Sequence, residues 1–323
     1  MALQKDKYLD FEKPILELEE KVQALRNSTR DGGIESLAPE IRELESKLDS
    51  ALRELSARLS PWQRAQLARH PMRPGTADLA SRIFTDICIL HGDRHFSDDQ
   101  AITCALARLG GREVLLVMQQ KGREPQERVR HNFGMAQPDG YRKVMRLTEL
   151  AERFGRPVIT LVDTLGAYPG IGAEERGQAW AVAASIETFL NLRVPSIAVV
   201  VGEGGSGGAL AIAVTDRVFM LENAIYSVIS AEGCASILFR DSARAPEAAA
   251  ALKVTAQNAL ELGVIDGIIQ EPPGGAHRNW DDAAQRLGAA LEKALAELQG
   301  FEFDNLIQKR FAKFRALGRV SEG

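Results

Sequence analysis

In residues 1–60 apolar side chains recur at alternating steps of three and four: Ile15, Leu18, Val22 and Leu25, then Ile41, Leu44, Leu48, Ala51 and Leu55. That spacing lines one face of an α-helix, so the segment predicts two amphipathic helices. Residues 27–33 (NSTRDGG) are rich in turn-forming types and predict the turn of a helical hairpin. Each stripe lasts only about two heptads, too short for a free-standing coiled coil. The hairpin is expected to pack on its own domain or on a partner. Thirteen acidic and ten basic side chains are mixed along it, the pattern of a solvated face.

From about residue 60 the pattern becomes mixed. Short β-branched runs at 114–118, 158–162, 196–201, 217–221 and 225–229 predict buried strands. Helical patterns at 140–154, 174–192 and 207–214 lie between them, an alanine-rich helix at 245–251 follows, and 281–298 and 303–317 predict closing helices. Strand–helix alternation implies an α/β fold with covered strands. The expected division is a hairpin at 1–60, a central domain at 61–300, and a C-terminal helix and tail at 301–323.

Composition narrows the class. Apolar residues are 45% and charged residues 26%, near the globular average. A net charge of −4 and a pI near 5.9 argue against a generic nucleic-acid binder. Purely aliphatic runs such as residues 197–201 are far short of a membrane span, and the charged start lacks the apolar centre of a signal peptide. Cys88, Cys104 and Cys234 lie far apart with no CxxC pair, which predicts a reducing, cytoplasmic setting.

Residues 202–208 (GEGGSGG) hold five glycines between a strand and a helix. Glycine lets a ligand approach backbone N–H groups, and the helix start adds unpaired donors and partial positive charge. The combination predicts an anion site, for a phosphate or for an oxyanion that develops during reaction. Ala209 and Leu210 stand where a phosphate loop needs Lys-Ser/Thr, and the dinucleotide fingerprint is matched only loosely, with Glu222 close to the spacing of its acid. Gly204-Gly205-Ser206-Gly207-Gly208 also satisfies G-x-S-x-G, so a serine hydrolase using Ser206 with His277 and Asp266 is one open alternative. A self-sufficient hydratase or isomerase using Glu203, Glu174 or Glu232, and a silent scaffold, are two others.

A second glycine-rich element, residues 163–177, follows a strand and precedes a helix. Gly166, Gly170 and Gly172 free its backbone, and Tyr168-Pro169 offers a wall for a flat ligand such as a fused ureido ring. Residues 121–146 carry seven basic and three acidic side chains, a local excess able to attract an anion. Lys121 and Arg123, straight after a strand, are the better candidates there. His91 and His95 stand four apart in a loop and give no metal signature.

The strings HPMRP, GDRHFSDD, QKGRE, NFGMAQPDGYRK, AYPGIGAEERGQ, GEGGSGGALAI, ISAEGCASIL and EPPGGAHR, in this order from about Leu9 to beyond Arg278, resemble the alpha subunit of the carboxyltransferase of bacterial acetyl-coenzyme A carboxylase. Leu165 and Ala231 depart from it, standing where the family pattern has proline. The resemblance implies a crotonase-type (ClpP/crotonase-like) spiral of ββα units and half of a split active site. It implies transfer of carbon dioxide from carboxybiotin to acetyl-coenzyme A, giving malonyl-coenzyme A at the first committed step of fatty acid synthesis. By the same resemblance Gly207 and Gly208 form a backbone oxyanion hole. Gly204, Gly205, Ser206, Gly166, Ala167, Tyr168, Pro169, Gly170, Glu232, Lys121 and Arg123 surround the substrates. The implied partners are a beta subunit carrying zinc and most coenzyme A contacts, a biotin carboxyl carrier protein and an ATP-using biotin carboxylase. An alpha2-beta2 core is expected, with no metal on this chain.

Overall fold

The structure, a computed structural model, describes residues 7–32, 38–300 and 302–318. Helices α1 (Lys13–Gly32) and α2 (Ala38–Arg58) pack together and are tied by an Arg26–Glu45 ion pair of 2.6 Å. α1 continues through Gly32, across most of the segment predicted as a turn; the connection at 33–37 lies outside the described residues. The polar residues do not break the helix because they bond along it: the Ser28 hydroxyl donates to Ala24 O at 3.0 Å, and Gln23 donates to Asn27 at 2.9 Å.

The chain then forms α3 (Pro61–Ala68), opened by a Ser60/Gln63 capping box, and α4 (Thr76–Ile83). β1 (Thr85–Leu90), β2 (Ile102–Leu109) and β3 (Arg112–Gln119) form an antiparallel meander. β1 and β2 were not predicted. β1 is exposed along nearly its whole length, and β2 (ITCALARL) is built largely from good helix formers. The signal that marks them is Gly110-Gly111, whose φ values of 54° and 81° suit a two-residue hairpin turn.

Beyond β3 the pairing is parallel. α5 (Pro125–Arg130) and α6 (Pro138–Arg153) lead to β4 (Val158–Thr164). α7 (Ile171–Glu175) and α8 (Gln178–Asn191) lead to β5 (Ser196–Gly205). The helix predicted over 174–192 is divided by Gly177, which caps α8 in the left-handed region at φ 80°. β5 runs directly into α9 (Ser206–Ala213), followed by β6 (Arg217–Leu221) and β7 (Ile225–Ser227), the latter two residues shorter than predicted. α10 (Ala231–Phe239), α11 (Ala245–Ala251), α12 (Ala256–Glu261), β8 (Gly267–Ile269), α13 (Trp280–Leu298) and α14 (Phe303–Arg315) complete the chain. The sheet order is β1-β2-β3-β4-β5-β6-β8.

β4 is buried along its whole length, and the first eight residues of β5 are too, as expected of parallel strands covered on both faces. β5 serves two neighbours. Its first half pairs with β6 through Ile197–Val200, and Glu203, Gly204 and Gly205 pair with β7. On that side the glycine-rich end leaves β6 for β7, while on the other Gly204 still pairs with Thr164 of β4. Among the described residues no helix is long and apolar enough to cross a membrane.

Buried ion pairs set an acid limit on this fold. Burial alone would raise the Glu271 carboxyl, but the Arg73 guanidinium and Asn223 bring it down to about 2. Asp93, held by Arg142 and the N–H groups of His95, Phe96 and Ser97 against the effect of burial, also falls to about 2. Such carboxyls take up protons more readily unfolded than folded, so their contribution is complete above about pH 4.5 and is lost as pH falls toward 2. Burial keeps His70 and His277 below the ordinary 6.5, and that begins the decline at milder pH. Thermal melts should show Tm sagging below about pH 6 and falling steeply below 4.5. Glu271→Gln, less stable at neutral pH, should show a shallower fall over the steep limb; an unchanged slope would remove Glu271 from this account.

Candidate active site

The C-terminal end of β5 and the start of α9 hold the glycine run, and four of its glycines are required by the chain's own packing. A Cβ on Gly202 would stand 2.5 Å from Asp163 Oδ1, and one on Gly204 would stand 2.7 Å from the Tyr226 ring. Side chains on Gly205 and Gly208 would overlap the backbone of Leu165, Gly166 and Ala167. The two glycine-rich elements therefore touch backbone to backbone. Gly207 differs: a Cβ there meets only Val182 Cγ1, at an ordinary 3.6 Å. Ser206, exposed, takes φ 48° at the strand-to-helix corner.

α9 begins without a side-chain cap. Its first-turn N–H groups, those of Gly207 and Gly208 among them, lack intrahelical acceptors and are available to an anion. Three buried side chains fix the helix in place by donating to its carbonyls: Gln119 to Gly208 (2.8 Å), Ser185 to Ala211 (2.6 Å) and Thr160 to Ile212 (2.8 Å). The neighbouring loop is similarly fixed. Thr164 Oγ1 accepts from Gly166 N at 3.0 Å, Tyr168 N donates to Ala136 O at 3.0 Å, and Gln178 donates to Ala136 O and Tyr168 O. Ala167 and Tyr168 are partly exposed, Pro169 is exposed, and Gly170 lies against the Tyr168 ring.

Beside this corner lies a cavity of about 590 Å³, lined among others by Arg69, Lys121, Arg123, Phe133, Asp163, Leu165 and Glu203. Its floor is an alternating chain of charges. Asp163 pairs with Lys121 (3.2 Å), Lys121 with Glu203, Glu203 with Arg69 (2.6 Å), and Arg69 with Glu232 (2.6 Å). Burial works against each of the three inner charges, yet the opposite neighbours prevail. Glu203 is held below the usual carboxylate range, and Lys121 and Arg69 above their usual values.

Lys121 and Arg123 thus reach the cavity already paired, Arg123 with Asp78 (2.7 Å) and across the Trp280 ring. Most of the predicted basic patch is likewise committed. Arg142 pairs with Asp93, Lys143 with Asp98, Arg146 donates to Gly92 O, and Arg130 to Gln100. Among the described residues only Arg128 of that group has a guanidinium without an ion pair or hydrogen bond. Asp163, Arg69 and Phe133 went unnoticed as site residues in the sequence. Asp163 ends a strand beside the second glycine element, the one local signal that could have drawn attention to it.

The hydrolase triad does not assemble. His277 Nε2 hydrogen-bonds Glu12 at 2.9 Å, while Asp266 accepts from Lys313 (2.8 Å) and Val218 N (2.7 Å). Glu12, His70 and His277 are buried and close enough together to suggest a metal. Apart from His277 Nδ1 the donors are spent otherwise: His70 bonds Lys7 O and Met72 N, its ring lies over that of His277, and Arg278 donates to Glu12 at 2.9 Å. With a guanidinium on the carboxylate, the cluster is a clasp between the base of α1 and the 271–278 loop.

The α/β fold, with a glycine-rich strand-to-helix corner beside a charged cavity, is that of the crotonase-type carboxyltransferases. Two solved structures share the fold: transcarboxylase 12S, with methylmalonyl-coenzyme A bound (TM-score 0.55, 23% identity, 69% of this chain and 42% of that one), and a Pseudomonas malonate decarboxylase hetero-tetramer in complex with coenzyme A (0.53, 19%, 66% and 85%). The family described as acetyl co-enzyme A carboxylase carboxyltransferase-like matches residues 8–318. The acetyl-coenzyme A carboxylase carboxyl transferase subunits alpha of Azorhizobium caulinodans and Thermus thermophilus are each 53% identical over 314 residues, 97% of this chain and 99% of theirs. This chain belongs to the acetyl-coenzyme A carboxylase carboxyl transferase alpha-subunit family.

Proposed function

We propose that this chain is the alpha half of a split carboxyltransferase that moves a carboxyl group from carboxybiotin, on a carrier protein, to acetyl-coenzyme A. The observation that carries the reading is Gly207. Glycine inside a helix costs about 1 kcal/mol relative to alanine, and packing within the chain does not require it here. A reacting oxygen that must come close to the Gly207 and Gly208 N–H groups does require it.

When the donor's N–C bond to the carboxylate breaks, its electron pair is left on the ureido group. The two N–H groups hold the charge that develops on the ureido oxygen. The acetyl thioester loses a methyl proton, which the ureido nitrogen takes up, and its enolate carbon bonds to the released carbon dioxide. A beta subunit is the partner that would complete the site on the acetyl side. Zinc on that subunit, the biotin carrier, the ATP-using carboxylase and an alpha2-beta2 core belong to the same proposal, as does a cytoplasmic setting. Val228, just before α10, and Ile237 and Leu238 on α10, the helix that carries Glu232, are exposed, and such an apolar surface suits a subunit contact.

Reconstitution tests the reading. The chain, with or without the matching beta subunit, is given malonyl-coenzyme A and free biotin, and consumption is followed. Transfer by the mixture alone is the expected result, and transfer by this chain alone would overturn the division of labour. Ser206→Ala should keep most of the rate in the mixture, since the hydroxyl has no chemical role here. Collapse of that variant, with labelling of wild-type Ser206 by a serine-directed phosphonate, would restore the hydrolase.

A further inference from the structure

We infer that Phe133 is a specificity-determining residue for the carboxyl donor, presenting its ring as the wall on which the fused rings of biotin pack. The role rests on the function proposed above and names a residue for its donor side. The starting observation is backbone conformation. Asn132, Phe133 and Gly134 follow one another with φ of 47°, 55° and 78°, and Phe133 has ψ 31°. Asparagine and glycine enter the left-handed region readily, whereas a bulky residue does so at a cost that surrounding contacts must impose.

Those contacts are present. Gly134 N donates to His131 O and Met135 N to Asn132 O, each at 2.9 Å. His131 Nδ1 donates to Gln100 O at 2.6 Å, and the Thr164 hydroxyl donates to Gly134 O at 2.6 Å. A Cβ on Gly134 would stand 2.5 Å from Asp163 O, so the turn is pressed against the end of β4. Its product is an aromatic ring left 39% exposed on the wall of the cavity. A fold seeking only stability would place a smaller or polar residue there.

The cavity also indicates what the ring meets. Leu165, 45% exposed, lines the same space, and its carbonyl lies where a Gly205 side chain would be, next to the start of α9. The floor charges are neutralised in pairs. Free of ion pairs in the lining are the Phe133 ring, Leu165 and the half-buried Arg128 guanidinium, with the Glu124 and Glu127 carboxylates more exposed beside them. That set suits a compact fused ring with an anionic substituent, as carboxybiotin has. An adenine ring with phosphates shares this chemistry, and the test separates the two.

The test uses the alpha–beta mixture in the malonyl-coenzyme A direction, with Phe133→Ala, Phe133→Gly and Phe133→Tyr. The expected result is a roughly five- to tenfold rise in KM for free biotin in the Ala and Gly variants alike. KM for malonyl-coenzyme A should stay within about twofold, with Phe133→Tyr like wild type. Tm should separate the first two: the Gly variant, relieved of the left-handed cost, should melt several degrees above the Ala variant. A merely structural role would make KM follow Tm. An unchanged biotin KM, a rise confined to malonyl-coenzyme A, or KM tracking Tm would each overturn the assignment. A wild-type mixture without transfer would instead overturn the proposed function, and this role with it.

Discussion

Gly207→Val is expected to fold, assemble and lose carboxyl transfer by about 100–1,000-fold, the usual effect of disabling one oxyanion donor. Its Cβ has room, meeting only Val182 at 3.6 Å, and valine is a slightly better helix residue than glycine. The branched side chain instead occupies the approach to the N–H pair. The loss should therefore appear in the rate with Tm held within a few degrees, measured on the reconstituted mixture by turnover and thermal melt. Gly208→Ala is the contrasting variant. Its smaller addition overlaps the backbone of Gly166, so it should fail at the level of soluble yield. Full transfer by Gly207→Val would remove the oxyanion assignment.

Arg310→Ala should destabilise the fold by about 3–5 kcal/mol. The guanidinium is fully buried and grips Asp216 through two hydrogen bonds of 2.9 Å. It also donates to the carbonyls of Phe189 (2.6 Å), Leu190 (3.1 Å) and Leu192 (2.8 Å), which the end of α8 leaves without helical partners. Asp216 in turn accepts from Ser196 N and Oγ, so one arginine joins α14 to α8 and to the starts of β5 and β6. Its removal takes the guanidinium from a buried carboxylate and leaves the Leu190 and Leu192 carbonyls without it, while Phe189 O keeps only a 3.4 Å bond from Leu192 N. Denaturant unfolding should show the loss, while the rate of the folded fraction at low temperature should stay near wild type because α14 lies outside the site. A midpoint unchanged within error would mean that Asp216 finds another partner. Helix α14, the helix of the expected C-terminal segment, is thus pinned by a residue that looks like surface charge in sequence.

Strands and helices were legible where local physics decided them. The runs at 158–162 and 217–221 are strands because covered parallel strands need unbroken apolar stretches. The closing helices appear at Trp280–Leu298 and Phe303–Arg315 because their apolar residues keep a helical period. The glycine run was legible as an unusual strand-to-helix corner. Misjudged elements had locally ambiguous residues: residues 27–32 read as a turn but stay helical, and β2, rich in helix formers, gave no strand signal yet pairs on both sides.

The charge patch shows the limit of composition. Seven basic residues between 121 and 146 implied a field able to draw an anion, and the fold spends four of them on Asp93, Asp98, Asp163, Glu203 and Asp78 and two more on carbonyl and amide oxygens. Their partners lie 45 to 82 residues away in most cases, so no local window could have paired them. The α/β class and the glycine-rich strand-to-helix corner could be read from the residues because periodicity and glycine spacing act over a few positions, and the family from the motif strings. Only the tertiary structure decided why each glycine is there, which cations are free and which residue the chain strains to expose. Those depend on distances between atoms that meet only when the sheet has closed and its loops have packed.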